Sequence, residues 1–207
     1  VVCAIGGLFL VSGNDKEQAS NATAPAANPP AAPTAAPTPG STADVPTFKK
    51  MLPVIVTGAV FDQGEQVSVI AEPGWPFAFR VPTGWRCTPA QIIDGDASAG
   101  LECRPPGESN TLVQVGLRAC DRPCDPTTQD LMNRDIAPAP LTEGDASTSY
   151  AEVADGRDNR YGLLVSHFFG PQPGEQPTWQ VVVRARSPHT DRAAVQKVAN
   201  DIRTQTP

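Results

Sequence analysis

Between Asn14 and Thr47 the chain is built almost wholly of Ala, Pro, Thr, Ser and Asn, and such a stretch has too little apolar area to offset the entropy of ordering it. A core can therefore form only over residues 48–207, about 160 residues, enough for one domain. The prolines at positions 25, 29, 30, 33, 37, 39 and 46 favour extended polyproline conformations, so the stretch reads as a stalk reaching several tens of ångströms at about 3 Å per residue. The Asn21-Ala22-Thr23 sequon accepts sugar only in a host with the transferase; a bare linker is the simpler reading.

Ahead of the stalk, the apolar run from Val1 to Val11 falls short of the roughly 20 residues that cross a bilayer. Residues 1–13 are read as the C-terminal part of a truncated span. Asn14-Asp15-Lys16-Glu17 lacks the Lys/Arg excess of a cytoplasmic flank, which places stalk and domain on the extracytoplasmic side of the cell membrane in a single-pass arrangement. The alternative is a signal-peptide remnant cleaved after Gly13, giving a secreted protein. A lipoprotein signal does not fit, since Val2 precedes Cys3 and the apolar run continues beyond it; Cys3 is expected to be an inert thiol in the membrane.

The net charge of −6 and pI of about 4.9 give no basic field for nucleic acid. Lysine occurs only at positions 16, 49, 50 and 197, and the Arg, Ala, Pro and Gly content suggests a GC-rich genome.

Cys87, Cys103, Cys120 and Cys124 form an even set in the segment placed outside, which reads as two disulfides. Of the three possible connectivities, the local one is expected, Cys87 with Cys103 and Cys120 with Cys124, because Asp121-Arg122-Pro123 makes a natural turn. Zinc would want two short-spaced pairs and only the C-x3-C is short. A redox pair would more often be C-x-x-C in a thioredoxin-like pattern, although Cys124 stands just before a predicted helix start.

From Met51 onward short alternating segments are separated by Gly, Pro and Asp clusters. Val54 to Val60 and Gln66 to Ile70 read as strands joined by the turn Asp62-Gln63-Gly64. Phe77, Phe79 and Val81 alternate onto one face; Gly100 to Cys103 and Thr111 to Ala119 follow, the latter with Val113, Val115 and Leu117 inward. A helix begins at Asp125-Pro126 and ends near Ile136, with Leu131, Met132 and Ile136 on one side. Strands at Thr148 to Val153, Arg160 to Phe169 and Thr178 to Arg186 precede a last helix, capped by Ser187, whose apolar stripe is Val195, Val198, Ala199 and Ile202 and whose polar face is expected to be exposed. Helices separated by hairpin-like strands indicate an α+β domain with a largely antiparallel sheet packed by two helices.

This order, with the strand running into Val81-Pro82-Thr83-Gly84-Trp85 and the closing amphipathic helix, resembles the PsbP-like fold over about residues 66 to 205, a fold that recurs in small secreted and lipid-anchored actinobacterial proteins. The resemblance implies an antiparallel sheet packed by helices and a non-catalytic accessory or binding role. It brings no catalytic set, and the four external cysteines are not part of the family pattern.

Few side chains of the chain suit catalysis. His167 and Ser166 are strand neighbours that point to opposite faces, and no nucleophile elbow occurs; His167 reads as a satisfied or solvent-facing strand residue and His189 as exposed in the first turn of the last helix. The acidic loops Asp94/Asp96, Glu143/Asp145 and Asp155/Asp158 lack a calcium ligand set, and no phosphate loop or dinucleotide fingerprint is present. No catalytic, cofactor or metal residue is assigned. Trp75, in Pro73-Gly74-Trp75-Pro76, is a possible exposed contact anchor, with burial at the sheet edge as the simpler alternative. The expectation is a non-enzymatic, membrane-tethered envelope module that binds a protein or envelope component or senses outside conditions, using no cofactor. The alternatives are an extracytoplasmic enzyme of unrecognised type acting on cell-wall material, or a thiol-disulfide oxidoreductase using Cys120 and Cys124.

Overall fold

The computed structural model describes residues 44–92, 98–107, 109–120, 123–155 and 159–206. The expectations for the span, Cys3, most of the stalk and the loop carboxylates Asp94, Asp96 and Asp158 lie outside the described residues. No helix among the described residues is long and apolar enough to cross a membrane.

The domain is mixed α+β. Strands β1 (Val67–Ile70) and β2 (Phe79–Pro82) form an antiparallel ribbon. A second sheet of seven strands comprises β3 (Arg86–Pro89), β4 (Ser98–Arg104), β5 (Leu112–Ala119), β6 (Thr142–Asp145), β7 (Thr148–Asp155), β8 (Arg160–Phe169) and β9 (Trp179–Pro188), in the order β3-β4-β5-β9-β8-β7-β6. Every neighbouring pair is antiparallel. Helix α1 (Pro126–Ile136) follows β5, and α2 (Arg192–Gln205) closes the chain after a 3-10 turn at His189–Asp191.

The period-2 pattern of the central strands decides the core. Val113, Val115 and Leu117 of β5, Leu163 and Val165 of β8, and Val181 and Val183 of β9 turn to one face and meet Val195, Val198, Ala199 and Ile202 of α2. Phe77, Phe79 and Val81 complete this core as their alternation predicts. Trp75 is only 6% exposed. Its ring lies 5.4 Å from Phe77 and 6.5 Å from Phe79, so it serves the aromatic core and is not the exposed anchor considered above.

The opposite face of the sheet carries α1. Asp125 caps it by accepting from Thr128 N at 2.7 Å, with Pro126 in the first turn. Ile136 alone of the helix is buried, against Val182 and Ile92, while Leu131 is 56% exposed, so the expected three-residue apolar side is reduced to one anchor. Arginines supply the rest: Arg118 donates to Met132 O at 2.7 Å, and Arg184 to Ile136 O at 3.3 Å and Ile92 O at 3.1 Å.

Two further expectations are corrected at α2. The segment from Val54 to Val60 is extended but is no strand, because its backbone groups pair with helix side chains rather than with another strand. Lys49 N donates to Gln205 Oε1 at 2.9 Å and Lys49 O accepts from Gln205 Nε2 at 2.8 Å. Val54 N donates to Thr204 Oγ1, Val56 N and Thr57 N to Asn200 Oδ1, and Ala59 N to Gln196 Oε1, while Asn200 Nδ2 donates to Thr57 O and Ala59 O. The polar face of α2 is therefore buried: Gln196, Asn200, Asp201, Thr204 and Gln205 are each at most 6% exposed. Such burial is tolerated because the groups are hydrogen-bonded.

Candidate functional site: an arginine row on the open sheet face

The cysteines pair locally, as expected. Cys87 and Cys103 are disulfide-bonded with Cα atoms 4.0 Å apart, and Cys120 and Cys124 with Cα atoms 5.8 Å apart. The second bond closes the approach to α1, where Cys120 N donates to Thr178 O and Cys124 N to Pro177 O. Cys124 is 1% exposed, whereas Cys120 is partly exposed.

The first disulfide has a consequence on the other side of the sheet. Cys87 stands directly opposite Cys103 in the β3–β4 ladder, so Arg86 stands directly opposite Arg104. The cysteines point into the core, where Cys103 is fully buried, and their neighbours must point away from it. The narrow cysteine pair matches a non-hydrogen-bonded position, which puts the arginines at a wide one, with Cα atoms about 5.5 Å apart. Both are exposed. Like charges set opposite each other in a ladder are unfavourable, and here the adjacent covalent bond fixes the register that juxtaposes them.

Registers across the sheet extend the arrangement. Continued by one residue beyond the Cys103–Val113 pair, the β4–β5 register places Leu112 beside Arg104, and Leu112 faces Arg186 of β9, which faces Gly162 of β8. Arg86, Arg104 and Arg186 thus occupy one row, spanning three strand spacings or about 14 Å. Leu112, in the middle of the row, is only 3% exposed. Gly162 leaves the floor beside Arg186 low. Arg160 projects one row further along the same face.

The row next toward α1 carries Thr88, Glu102, Gln114 and Arg184. Glu102 accepts from Arg104 Nε at 2.7 Å and from Gln114 Nε2 at 3.1 Å. The Arg104 hydrogen bond, then that of Gln114 and the charges of Arg104 and Arg186, hold its carboxyl below the usual glutamate range. Arg104 is oriented by this contact. Among the described residues Arg86 and Arg186 have no carboxylate within salt-bridge distance.

Shallow clefts flank the row. One of ≈ 460 Å³ includes Arg86, Thr88, Glu102 and Arg104 in its wall. The other, of ≈ 550 Å³, includes Asn110, Tyr161, Arg186 and Ser187. Ser187 is 4% exposed and its Oγ has no hydrogen-bond partner among the described residues.

The remaining polar groups are occupied structurally. His167 is buried, with Nε2 donating to Thr206 O at 2.6 Å and Nδ1 lying 2.9 Å from Thr148 Oγ1. Burial, helped by the Arg203 charge, lowers its pKa to about 4. Asp145 accepts from Ser147 N, Thr148 Oγ1 and Arg203, and its pKa falls to about 2 because these contacts outweigh burial. Ser166 lies on the other face, accepting from Gln180 at 2.8 Å, so it forms no couple with His167. His189 is half-buried in the 3-10 turn with its ring edge toward Tyr161. Among the described residues no three His, Cys, Asp or Glu side chains converge to hold a metal.

The sequence shows Arg184 and Arg186 on the outer face of β9 but not the row. Its missed signal is the paired order Arg86-Cys87 and Cys103-Arg104: a cross-strand disulfide fixes both partners. No protein-family model, curated protein or solved structure matches the chain.

Proposed function

We propose that this chain is a non-enzymatic, membrane-tethered envelope module that binds its partner outside the cytoplasm through the row Arg86, Arg104 and Arg186. The observation that supports this most is the Arg86–Arg104 pair: two exposed cations face each other one residue from a covalent staple, where the folded chain alone would be better served by opposite charges. Such an arrangement is useful when an anion occupies the space between the guanidinium groups. The two disulfides suit an oxidising compartment, and the apolar start followed by a proline-rich stalk suits a tether. Kinship with the PsbP-like fold belongs to the same proposal; it rests on the Val81-Pro82-Thr83-Gly84-Trp85 turn and a closing helix packed on an antiparallel sheet.

The test is retention on isolated cell envelopes. The full chain carrying Arg86→Gln, Arg104→Gln and Arg186→Gln together is expected to wash off detergent-extracted envelopes, which offer the apolar start no bilayer, where the parent is held, with an unchanged circular dichroism spectrum. Equal retention of the two proteins rejects the reading.

A further inference from the structure

The shape and chemistry of the row point to the class of partner. Arg86, Arg104 and Arg186 are exposed, and these cations are in line rather than gathered round one point. Protein-binding surfaces centre on buried aromatic or apolar anchors, whereas the row holds no exposed apolar side chain between its arginines: Leu112 is buried, and the exposed Val153 lies beyond Arg186, across Gly162. Stacking on a neutral sugar would also need an aromatic ring. The row instead supplies three planar guanidinium forks, which match oxyanions in bidentate fashion, beside Thr88 and Gln114, neutral groups suited to hydroxyls.

We propose that the row Arg86–Arg104–Arg186 is a binding track for a linear phosphodiester polymer of the polyol-phosphate kind, lying across the strands. Successive phosphates sit on Arg86 with Arg104 and on Arg186, and the intervening hydroxyl-bearing units face Thr88 and Gln114. Glu102 holds Arg104 by its Nε edge and leaves the outer edge of the guanidinium for phosphate. This deepens the envelope-binding reading and rests on it.

The experiment measures binding of the full chain to poly(glycerol phosphate), with dextran and poly-L-glutamate as comparison polymers. The expected result is binding to the phosphate polymer but not to dextran. Arg104→Gln and Arg186→Gln should each weaken it about tenfold, as loss of a charge-assisted hydrogen-bonded contact does. Arg134→Gln, on the exposed side of α1 where Arg134 pairs with Asp130, should leave it unchanged. The logarithmic salt slope should fall by about 0.7 for each row arginine removed, if each neutralises one phosphate of a flexible strand.

Binding of the Arg104→Gln, Arg186→Gln double variant within twofold of the parent overturns the proposal. So does equally tight binding of poly-L-glutamate, which assigns the row to an acidic peptide. So does an Arg186-dependent dimer in sedimentation, which assigns it to a second copy of the chain. Lost envelope retention with unchanged polymer binding in the triple variant sinks the polymer alone; if neither changes, the envelope-binding reading falls with it.

Discussion

Arg86 and Arg104 face each other across the β3–β4 ladder one residue outside the Cys87–Cys103 disulfide. The covalent bond and the charge pair act in opposite directions on the same two strands. β3 is a four-residue edge strand, so without the bond the repulsion would act on the least supported end of the sheet.

That opposition can be measured. Replacing Cys87 and Cys103 by Ala should cost about 3 kcal/mol in urea unfolding, the loop-closure value for a bridge of this span. In that background Arg86→Gln should restore a few tenths of a kcal/mol, up to about 1. No gain from Arg86→Gln would show that the two guanidinium groups do not repel across the ladder.

Asn200 is the centre of the contact between α2 and the extended segment. Its side chain accepts from Val56 N and Thr57 N and donates to Thr57 O and Ala59 O. Asn200→Ala is expected to lower stability by about 3 kcal/mol, since several backbone groups lose partners together. Hydrogen exchange should accelerate first at Val56 and Thr57, whose amides donate to Asn200, ahead of the β8 and β9 amides. Uniform acceleration through the sheet would show instead that the segment is not a separate cooperative unit.

Asp201 and Arg80 form the most buried ion pair in the described residues. Asp201 accepts from both the backbone N and the guanidinium of Arg80, which also lies over the rings of Phe48 and Phe61. Burial raises the Asp201 carboxyl against the opposing pull of Arg80. Asp201→Ala should cost about 3 kcal/mol or more because it strands a half-covered cation, whereas Asp201→Leu with Arg80→Met should recover most of that loss. A double-mutant cycle with no coupling would count against this assignment.

Acid should lower the stability of the domain over two successive pH windows. The His167 pKa is depressed from 6.5 to about 4, so between these values the unfolded chain holds the extra proton and stability falls as pH falls. The loss from this group is on the order of 3 kcal/mol. Asp145, depressed from 3.8 to about 2, continues the decline at lower pH in the same direction. His167→Gln should flatten the melting-temperature profile between pH 6.5 and 4 and leave the steeper acid limb; an unchanged profile would show that His167 is not buried neutral.

Elements whose residues announce their own environment were legible in the sequence. The Phe77-Ala78-Phe79-Arg80-Val81 alternation, the inward Val113, Val115 and Leu117, the limits of β8 and the Asp125-Pro126 start of α1 all follow from local pattern. The edge strands Arg86–Pro89 and Thr142–Asp145 did not, because both are largely exposed and polar and exist only through their partners. Val54 to Val60 carries the composition of a strand, yet the side chains of α2 take its backbone bonds. Polar residues on α2 looked like a solvent face for the same reason: composition cannot distinguish a hydroxyl or amide bonded to water from one bonded to a neighbouring backbone. The arginine row needed the β4–β5–β9 register, which no short segment encodes.

The contacts between the extended segment and α2 run in opposite sequence order, from Lys49 on Gln205 through Val54 on Thr204 and Val56 on Asn200 to Ala59 on Gln196. Tension drawn out along the helix axis through Lys49 therefore strains these bonds side by side, as in a lap joint. A sideways pull opens them one at a time, beginning at Gln205. The entry to the domain is thus a mechanical grip whose strength depends on the direction of the load.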